Sequence, residues 1–215
     1  MINMYPASYN EVNRIISEKY LDYKNGFYIE VGGSDGVTQS NTWHLEMYKG
    51  WTGILVEPNL EAAQKCCANR PNSTVFNYAL VSKDCKDSEV KLLRRTVYSD
   101  DPGLMSSISD SPIHQNSNWS APATDIDKTE EFIVPTATLT DILESCEVNS
   151  IDFLSLDVEG YEIEVLNGLD LKRFCPKVIL IEWHSDIEDI KNLINDTHEM
   201  VEQLSIHDYV FLMRQ

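Results

Sequence analysis

The stretch Gly26–Thr42, GFYIEVGGSDGVTQSNT, contains an apolar run that stops at the acid Glu30 and then passes into glycine. Gly32, Gly33 and Gly36 permit backbone angles that are closed to other residues, and they leave room for a ligand against the backbone. A strand, a glycine-rich turn and a helix in this order deliver backbone N–H groups and a helix N-terminus to a ligand. The stretch therefore predicts a cofactor site, with a purely structural glycine turn as the alternative.

Strands and helices alternate along most of the chain, which predicts an α/β fold with a parallel sheet covered on both faces. The strands are expected at Phe27–Val31, Thr52–Glu57, Thr74–Leu80, Ile151–Leu156, Val178–Glu182 and Tyr209–Met213. The helices are expected at Asn10–Tyr23, Ser40–Lys49, Leu60–Asn69 and Tyr161–Asn167, after the capping pair Thr138 and Asp141, and from Ile187 to Leu204 behind the capping pair Ser185 and Glu188. The length of 215 residues suits one domain over residues 1–215.

The middle of the chain interrupts this alternation. Glu89–Leu93 is expected to form a short strand and Phe132–Val134 an edge strand. Between them Ser99–Glu131 is rich in serine and acids and has little apolar periodicity, so we expect a long loop. A loop of that length inside a compact domain is usually a lid, a binding loop or disordered.

The composition excludes several classes of protein. The formal charge is −18, from 35 acids and 17 bases, and such a field repels nucleic acid. No stretch approaches the ~20 apolar residues of a membrane span, and the N-terminus lacks the features of a signal peptide, so we expect a cytoplasmic protein. The five cysteines contain no C-x-x-C pair and support neither a disulfide framework nor a zinc site.

Glu57 ends the second predicted strand, about 20 residues beyond the glycines, where a carboxylate typically accepts hydrogen bonds from ribose hydroxyls. A dinucleotide site normally requires G-x-G-x-x-G, and Asp35 would place a negative charge where pyrophosphate lies. S-adenosylmethionine carries no phosphate but does carry a sulfonium and an ammonium group, which suit acids at Glu30 and Asp35. The residues therefore favour S-adenosylmethionine over a dinucleotide.

The blocks EVGGSDGVTQSNT, GWTGILVEPN, NYAL, IDFLSLDVEGYEIEVLNGLD and VILIE resemble the FkbM-type S-adenosylmethionine-dependent methyltransferases. The resemblance runs from about Gly26 to His184, and VGGSDG and LDVEGYE are its specific parts. It implies a class I methyltransferase (Rossmann-like) fold, a three-layer sandwich with a mostly parallel sheet, and methyl transfer to oxygen of a sugar or polyketide. Gly33 departs from the family, which more often has alanine there. Only one strand is expected after the last helix, so the closing hairpin is expected to be shortened or missing.

The resemblance and the chemistry together assign a set of residues to the cofactor: Glu30, Gly32, Ser34, Asp35, Gly36, Ser40, Asn41, Glu57, Asn77, Ala79 and Asp157. Gly32, Ser34 and Gly36 would lie against its methionine part. Glu30 and Asp35 would shape or face its ammonium group, although Asp35 could instead cap the turn.

The remaining members of this set have structural alternatives as well. Ser40 and Asn41 start the next helix, where they would either contact the cofactor carboxylate or cap the helix. Asn77 and Ala79 end the third predicted strand beside the adenine edge. Tyr78 between them would stack on the adenine or belong to the core.

The fourth and fifth strand ends carry the expected catalytic groups His184, Asp157 and Glu182. Methyl transfer to a hydroxyl requires alignment and partial removal of its proton, for which a neutral imidazole near pH 7 is suited. His184 is the best-placed base, followed by His44, with His114 in the long loop; each has an ordinary structural alternative.

Glu159, Ser106 and Ser107 are expected to contact the acceptor, with Glu159 alternatively a structural acid at a helix start. The acids could also hold Mg²⁺ beside a diol, but no close-spaced motif requires a metal and none is assigned. The leading hypothesis is O-methylation of a sugar, glycan or small polyol. One alternative hypothesis is a non-catalytic nucleoside-binding or assembly module. Another is a dinucleotide-dependent oxidoreductase, although the absence of G-x-G-x-x-G argues against it.

Overall fold

The computed structural model describes residues 10–96, 105–108 and 128–215. Their strands, in chain order, are β1 (Phe27–Val31), β2 (Thr52–Val56), β3 (Ser73–Phe76), β4 (Ala79–Leu80), β5 (Glu89–Thr96), β6 (Met105–Ile108), β7 (Lys128–Ala137), β8 (Phe153–Leu156), β9 (Val178–Glu182), β10 (His198–Gln203) and β11 (Asp208–Met213). The helices are α1 (Glu11–Ile15), which continues into a π-helical turn (Ile16–Tyr20), α2 (Trp43–Lys49), α3 (Leu60–Asn69), α4 (Leu139–Ser145), α5 (Glu162–Asn167) and α6 (Ile187–Ile194).

A main sheet of seven strands has the order β10-β11-β9-β8-β1-β2-β3. β1 lies inside the sheet and pairs in parallel with β2 and β8, which places the ends of all three strands at one edge. The order reverses at β1, since β2 and β3 lie on one side and β8 and β9 on the other. Such a switch point is where open α/β sheets bind ligands.

Alternate residues of the strands face two separate apolar cores. On β1, Ile29 packs in the core that includes α4, α5 and α6, whereas Tyr28 packs in the core that includes Leu45 of α2 and Cys66 of α3. Successive side chains of a strand point to opposite faces, so the helices form two layers around the sheet. The predicted three-layer α/β class I methyltransferase architecture is confirmed.

The closing hairpin is complete, and the expectation of a shortened or missing one is wrong. α6 ends at Ile194, and β10 then pairs antiparallel with β11, which pairs antiparallel with β9. The sequence reading continued the helix because Val201 and Leu204 fall on a helical stripe. His198 is buried and Met200 and Glu202 are half-buried, while Glu199, Val201 and Gln203 are exposed, which is the alternation of a strand.

A second sheet, here called the side sheet, has the order β4-β7-β5-β6. It corrects three expectations, the first being that the strand expected at Thr74–Leu80 is split into β3 and β4. Phe132–Val134, expected as an edge strand, lies inside β7 between β4 and β5. Ser99–Glu131, expected as a loop, contains β6 and the start of β7. The rest of that stretch, 99–104 and 109–127, lies outside the described residues. β5 and β7 pair in register from Glu89 with Pro135 to Thr96 with Lys128, a long-range pairing that local periodicity does not reveal.

The helix ends follow local side-chain chemistry. Thr138 and Asp141 form the predicted capping box of α4, and Gly50 adopts the predicted left-handed conformation after α2, with φ 69°. The capping pair predicted at Ser185 and Glu188 is wrong, because the side chain of Asp186 accepts from the Glu188 N–H (3.0 Å) and caps α6. Within the described ranges, no helix has the length and apolar character needed to cross a membrane.

Candidate functional site

A cavity of about 400 Å³ opens at the carboxyl ends of β1, β2 and β8, at the switch point of the main sheet. Its volume lies within the range of small-molecule and cofactor pockets. It is lined by eight of the residues that the sequence assigned to cofactor, catalysis or acceptor: Gly32, Ser34, Asn41, Glu57, Ala79, Asp157, Glu159 and Glu182. Other assigned residues lie outside its wall: Glu30, Asp35, Gly36, Ser40, Asn77 and His184.

Gly32 follows directly after β1, where the chain passes close to Asp157 at the end of the neighbouring β8. Its φ is +86°, and a Cβ built on it would lie 1.9 Å from the carbonyl oxygen of Asp157. Both observations require glycine at this position. The end of β1 and the end of β8 can therefore meet at the cavity without a side chain between them.

Glu57 lies at the end of β2 and on the cavity wall. Its Oε2 accepts the N–H of Ser34 (2.8 Å) and its Oε1 accepts the N–H of Asn59 (2.8 Å). Burial raises the pKa of Glu57 to about 7 against the opposing effect of these two N–H groups. A carboxylate has about four acceptor sites, so each oxygen retains capacity for a ligand hydroxyl.

Asn77 supports Glu57 from behind. Its side-chain amide donates to the main-chain oxygens of Glu57 (2.9 Å) and Pro58 (2.8 Å). Its neighbours Tyr78 and Ala79 line the cavity. The residue thus fixes the turn after β2, while the two residues that follow it form the wall.

Glu30 is not on the cavity wall. It instead holds the loop from Gly32 to Thr42, here called the glycine loop. Its carboxylate accepts the Ser40 hydroxyl (2.8 Å), the Asn41 N–H (2.7 Å) and the Thr42 hydroxyl (2.6 Å). The Ser40 hydroxyl oxygen in turn accepts the N–H of Trp43 (3.0 Å), the first residue of α2. The helix start predicted at Ser40 is therefore wrong, since these residues form a loop anchored on Glu30.

Asp35 and Gly36 also have roles inside the protein. Asp35 accepts the main-chain N–H groups of Val37 (2.8 Å) and Thr38 (2.7 Å) and the Thr38 hydroxyl (2.8 Å), which are the contacts of the alternative role as a turn cap. Gly36 has φ +80°, and a Cβ there would lie 2.7 Å from Cγ of Arg70. Asn41, by contrast, lines the cavity and donates from its amide to Ser155 Oγ (3.0 Å).

Three acids, Asp157, Glu159 and Glu182, form one side of the cavity, here called the acidic wall. Burial and then the neighbouring charges of Glu182 and Glu159 raise the pKa of Asp157 well above its ordinary value, and a hydrogen bond with Glu182 adds to this. Burial followed by Glu182 and Glu162 raises the pKa of Glu159 to about 8. Like charges are thus held close together in a buried wall, and such a wall favours a cation beside it.

Glu162 supports the acidic wall and was not identified from the sequence. It is 1% exposed, and its Oε1 accepts the main-chain N–H groups of Val158 (3.1 Å) and Gly160 (3.1 Å). This bond holds the turn in which Glu159 adopts a φ of 55° and Gly160 a φ of 91°. An acid just after a glycine at a helix start was the available signal, since it can accept the N–H groups of the turn before it.

His184 lies behind the acidic wall. Its Nε2 is 3.2 Å from Glu182 Oε1, and its ring stacks on that of His207 with centroids 4.0 Å apart. His184 therefore reaches the cavity through Glu182. Burial lowers the pKa of His44 to about 3, so that ring is neutral, and His44 is not on the cavity wall.

Several wall residues were not individually assigned to the site from the sequence: Asn10, Gln39, Leu92 and Tyr161. Leu92 belongs to β5, so the side sheet contributes to the cavity. Ser106 and Ser107 lie in β6, and their side chains, like His114, fall outside what the structure describes. In the described part of the chain, no three His, Cys, Asp or Glu side chains are arranged to hold a metal ion.

A family model for the methyltransferase FkbM domain matches residues 30–211, which is most of the chain. The chain belongs to the FkbM methyltransferase family. The prediction of this family of S-adenosylmethionine-dependent methyltransferases is confirmed, and the glycine loop, Glu57 and the acidic wall all lie within the matched residues.

Several solved structures are similar to this chain at low sequence identity. The FkbM methyltransferase from Methylobacillus flagellatus KT is 13% identical, with a TM-score of 0.51 over 88% of this chain and 44% of that one. This FkbM chain thus spans less than half of that protein. Precorrin-6y C5,15-methyltransferase from Geobacter metallireducens GS-15 is 10% identical (TM-score 0.49; 95% and 88% covered). Aeropyrum pernix fibrillarin, with bound S-adenosyl-L-methionine, is 11% identical (TM-score 0.47; 89% and 67% covered). Among curated proteins, none matches significantly.

Proposed function

We propose that this FkbM chain transfers a methyl group from S-adenosylmethionine to a hydroxyl oxygen of a sugar, glycan or similar small polyol. The observation that carries the proposal is one cavity with two kinds of acid. Glu57 at the end of β2 retains acceptor sites for hydroxyls, and the acidic wall at the ends of β8 and β9 attracts positive charge. A nucleoside joined to a cationic amino acid satisfies both.

The residues fit the cofactor part by part. Glu57 would accept the ribose hydroxyls, Tyr78 and Ala79 would flank the adenine, and Asp157 would face the ammonium and sulfonium groups. Gly32 lets the end of β1 pack directly against the backbone of Asp157, which brings that acid to the cavity. When bound, the cofactor supplies an activated methyl group whose departure leaves a neutral thioether, so the protein needs to align the acceptor and remove its proton.

Proton removal falls to the groups at the end of β9. Glu182 lines the cavity, and His184 is 3.2 Å behind it. The acceptor hydroxyl would pass its proton to the Glu182 carboxylate, and the His184 imidazole would carry it toward the surface. Such a base contributes about 10²–10⁴-fold, and alignment of the reactants contributes up to about 7–11 kcal/mol.

The acceptor class follows from the polar groups near the cavity. Glu159 offers hydrogen-bond acceptors, and Ser106 and Ser107 are proposed to present hydroxyls from β6. The net charge of −18 disfavours nucleic acid and other polyanionic acceptors. A neutral polyol is therefore the favoured substrate.

Two alternatives remain for experiment. A missing final hairpin would have favoured a non-catalytic module, and the complete hairpin of β10 and β11 removes that argument. A Mg²⁺-assisted mechanism would use the acidic wall. Loss of turnover with a chelator and recovery with Mg²⁺ would establish it.

The test combines binding with turnover. Calorimetry should show binding of S-adenosylhomocysteine and none of NAD. Transfer of a labelled methyl group from S-adenosylmethionine to a panel of monosaccharides, oligosaccharides and polyols should then label at least one acceptor, with the Glu57→Ala variant as the matched weak binder. Cofactor binding without transfer to any acceptor class would favour the non-catalytic module, and no binding would overturn the proposal.

A further inference from the structure

Arg70 is a fully buried cation that lies beneath the glycine loop rather than in the cavity. It follows α3 directly, is 0% exposed, and is not among the residues that line the cavity. Arginine is almost never fully buried unless it is paired. The full burial of Arg70 therefore indicates that the groups around it balance its charge.

The guanidinium connects the glycine loop to β1 and α2 through a dense set of hydrogen bonds. It donates to Glu46 Oε2 (2.7 Å), the Gly36 oxygen (3.0 Å), Ser40 Oγ (3.1 Å), Thr42 Oγ1 (2.8 Å), Glu30 Oε2 (3.4 Å) and the Tyr28 hydroxyl. Three of these partners, Gly36, Ser40 and Thr42, belong to the glycine loop. Lysine could not replace this arrangement, since its point charge lacks the planar fork of donors.

We infer that Arg70 is a positioning residue for cofactor binding, which acts by fixing the glycine loop from behind. The same Glu30 carboxylate that contacts Arg70 accepts the main-chain N–H of Asn41 (2.7 Å). Asn41 and Gln39 carry the loop to the cavity wall. The route from Arg70 to the cavity thus runs through Glu30 and the loop backbone. This inference rests on the proposed use of the cavity for S-adenosylmethionine.

Gly36 provides independent support for this role. A Cβ at Gly36 would lie 2.7 Å from Arg70 Cγ and 2.9 Å from Cys66 Sγ, and its φ is +80°. The third glycine of the loop is thus required by the side chains packed against it, and it is not on the cavity wall. Loop and arginine fit each other closely, so displacement of one displaces the other.

A purely structural role would lower stability without a specific effect on the cavity. Glu46 allows the two roles to be separated, because it pairs with Arg70 and also accepts from Tyr28 (2.6 Å) and Ser73 (2.7 Å), none of which belongs to the glycine loop. Glu46→Gln should lower Tm and leave the loop in place. Arg173→Met, which removes an exposed ion pair with Glu144, is the matched arginine control.

The experiment measures S-adenosylhomocysteine binding by calorimetry at a temperature well below each variant's Tm. Arg70→Met should weaken binding at least about 10-fold, and Arg70→Lys by less, since it keeps one charged contact. Glu46→Gln and Arg173→Met should bind like the wild type. Amides 36–42 of Arg70→Met should exchange hydrogen faster without ligand.

Wild-type affinity and slow loop exchange in a folded Arg70→Met protein would overturn the inference, as would equal weakening in Glu46→Gln. If Arg70→Met does not fold, Arg70→Lys and Glu30→Gln decide the question in the same two measurements. Failure of the wild type itself to bind S-adenosylhomocysteine would count against the proposed function. The exchange of amides 36–42 would still test the anchoring of the loop by Arg70.

Discussion

Two groups of buried acids lie on opposite sides of the end of β1, and they differ in how their charge is balanced. Glu30 and Glu46 pair with Arg70, whose Nε lies 2.7 Å from Glu46. Burial raises the pKa of Glu46, but hydrogen bonds from Tyr28, Arg70 and Ser73 outweigh it and leave that pKa below its ordinary value. In the acidic wall, burial and like charges act together and raise the pKa values of Asp157 and Glu159.

We infer from this difference that the acids paired with Arg70 have an architectural role, whereas those of the acidic wall have a functional one. A balanced cluster fixes the chain around it, whereas like charges held together cost stability and persist where a ligand or a reaction needs them. Within the described ranges, no lysine or arginine forms an ion pair with Asp157 or Glu182, and Glu182 contacts the imidazole of His184. The wall is thus complementary to a cation from outside the chain.

The largest expected effect is on the balanced cluster. Arg70→Met leaves Glu30 and Glu46 buried without their cation, and breaking a buried pair typically costs about 3–5 kcal/mol. Urea unfolding should show a loss of that size in the free energy of unfolding. Arg173→Met should lose less than about 1 kcal/mol, because its ion pair is exposed. Similar losses in both variants would remove the contrast between the clusters.

The next effect concerns turnover. His184→Ala should lower kcat by about 10²-fold, since Glu182 loses the group that takes its proton onward, while affinity for S-adenosylhomocysteine stays near the wild-type value. Single-turnover kinetics on an acceptor found in the panel would measure this. His207→Phe, which keeps an aromatic ring against His184, is the control. Full activity of His184→Ala would mean that Glu182 and water remove the acceptor's proton without His184.

Glu57 tests whether the second kind of acid serves a ligand. Glu57→Ala should weaken binding of S-adenosylhomocysteine by about 1.5–3 kcal/mol, or roughly 10- to 150-fold, because a charged hydrogen-bond acceptor for the ribose is lost. Calorimetry measures the effect, with the exposed acid variant Glu89→Ala as the control. Unchanged affinity in a folded Glu57→Ala protein would take Glu57 out of the binding site.

The smallest effect is a gain in stability. Asp157 and Glu57 have raised pKa values in the folded state, so the folded chain binds more protons than the unfolded one. The stability from these groups is therefore complete below about pH 4, the range of their unfolded pKa values, and falls as pH rises through the folded values, toward about 7 for Glu57. Asp157→Asn should flatten this fall.

At pH 8 the Asp157→Asn protein should gain roughly 1 kcal/mol, seen as a Tm about 2–4 °C higher, and it should bind S-adenosylhomocysteine more weakly. Asp84→Asn changes the net charge equally at an exposed position and corrects for the general repulsion of an acidic protein. A gain in Asp84→Asn as large as that in Asp157→Asn would show that the acidic wall carries no special cost.

Local pattern was sufficient for much of the fold. Phe27–Val31, Leu60–Asn69 and Val178–Glu182 were predicted with the boundaries that the structure shows, because apolar runs and adjacent glycine, asparagine or proline residues define them locally. β10 was missed, and of the side sheet only the separate strands Glu89–Leu93 and Phe132–Val134 were predicted, since their pairing into a sheet depends on distant residues. A strand that is half polar, such as β10, becomes recognisable only beside its partner.

The site shows the same limit. The sequence placed Glu57 and Asp157 at strand ends, and both line the cavity. It could not show which face of β1 Glu30 occupies relative to the loop, nor that Arg70 returns beneath that loop from the end of α3. Contacts between residues 30 and 70 arise from packing around the sheet, and no spacing rule encodes them.

The chain segment that forms the side sheet leaves and rejoins the rest of the protein at adjacent points. Leu80 of β4 pairs with Ala137 of β7, and the Val81 N–H donates to the Ala137 oxygen at 3.0 Å. The two ends of the chain segment between them are therefore in contact. The same segment contributes Leu92 to the cavity wall. Because its ends are fixed to each other, we expect that this segment can be replaced without moving the strand ends that hold Glu57 and Asp157. Grafting residues 81–136 is thus a way to alter acceptor choice while the cofactor half of the cavity stays intact.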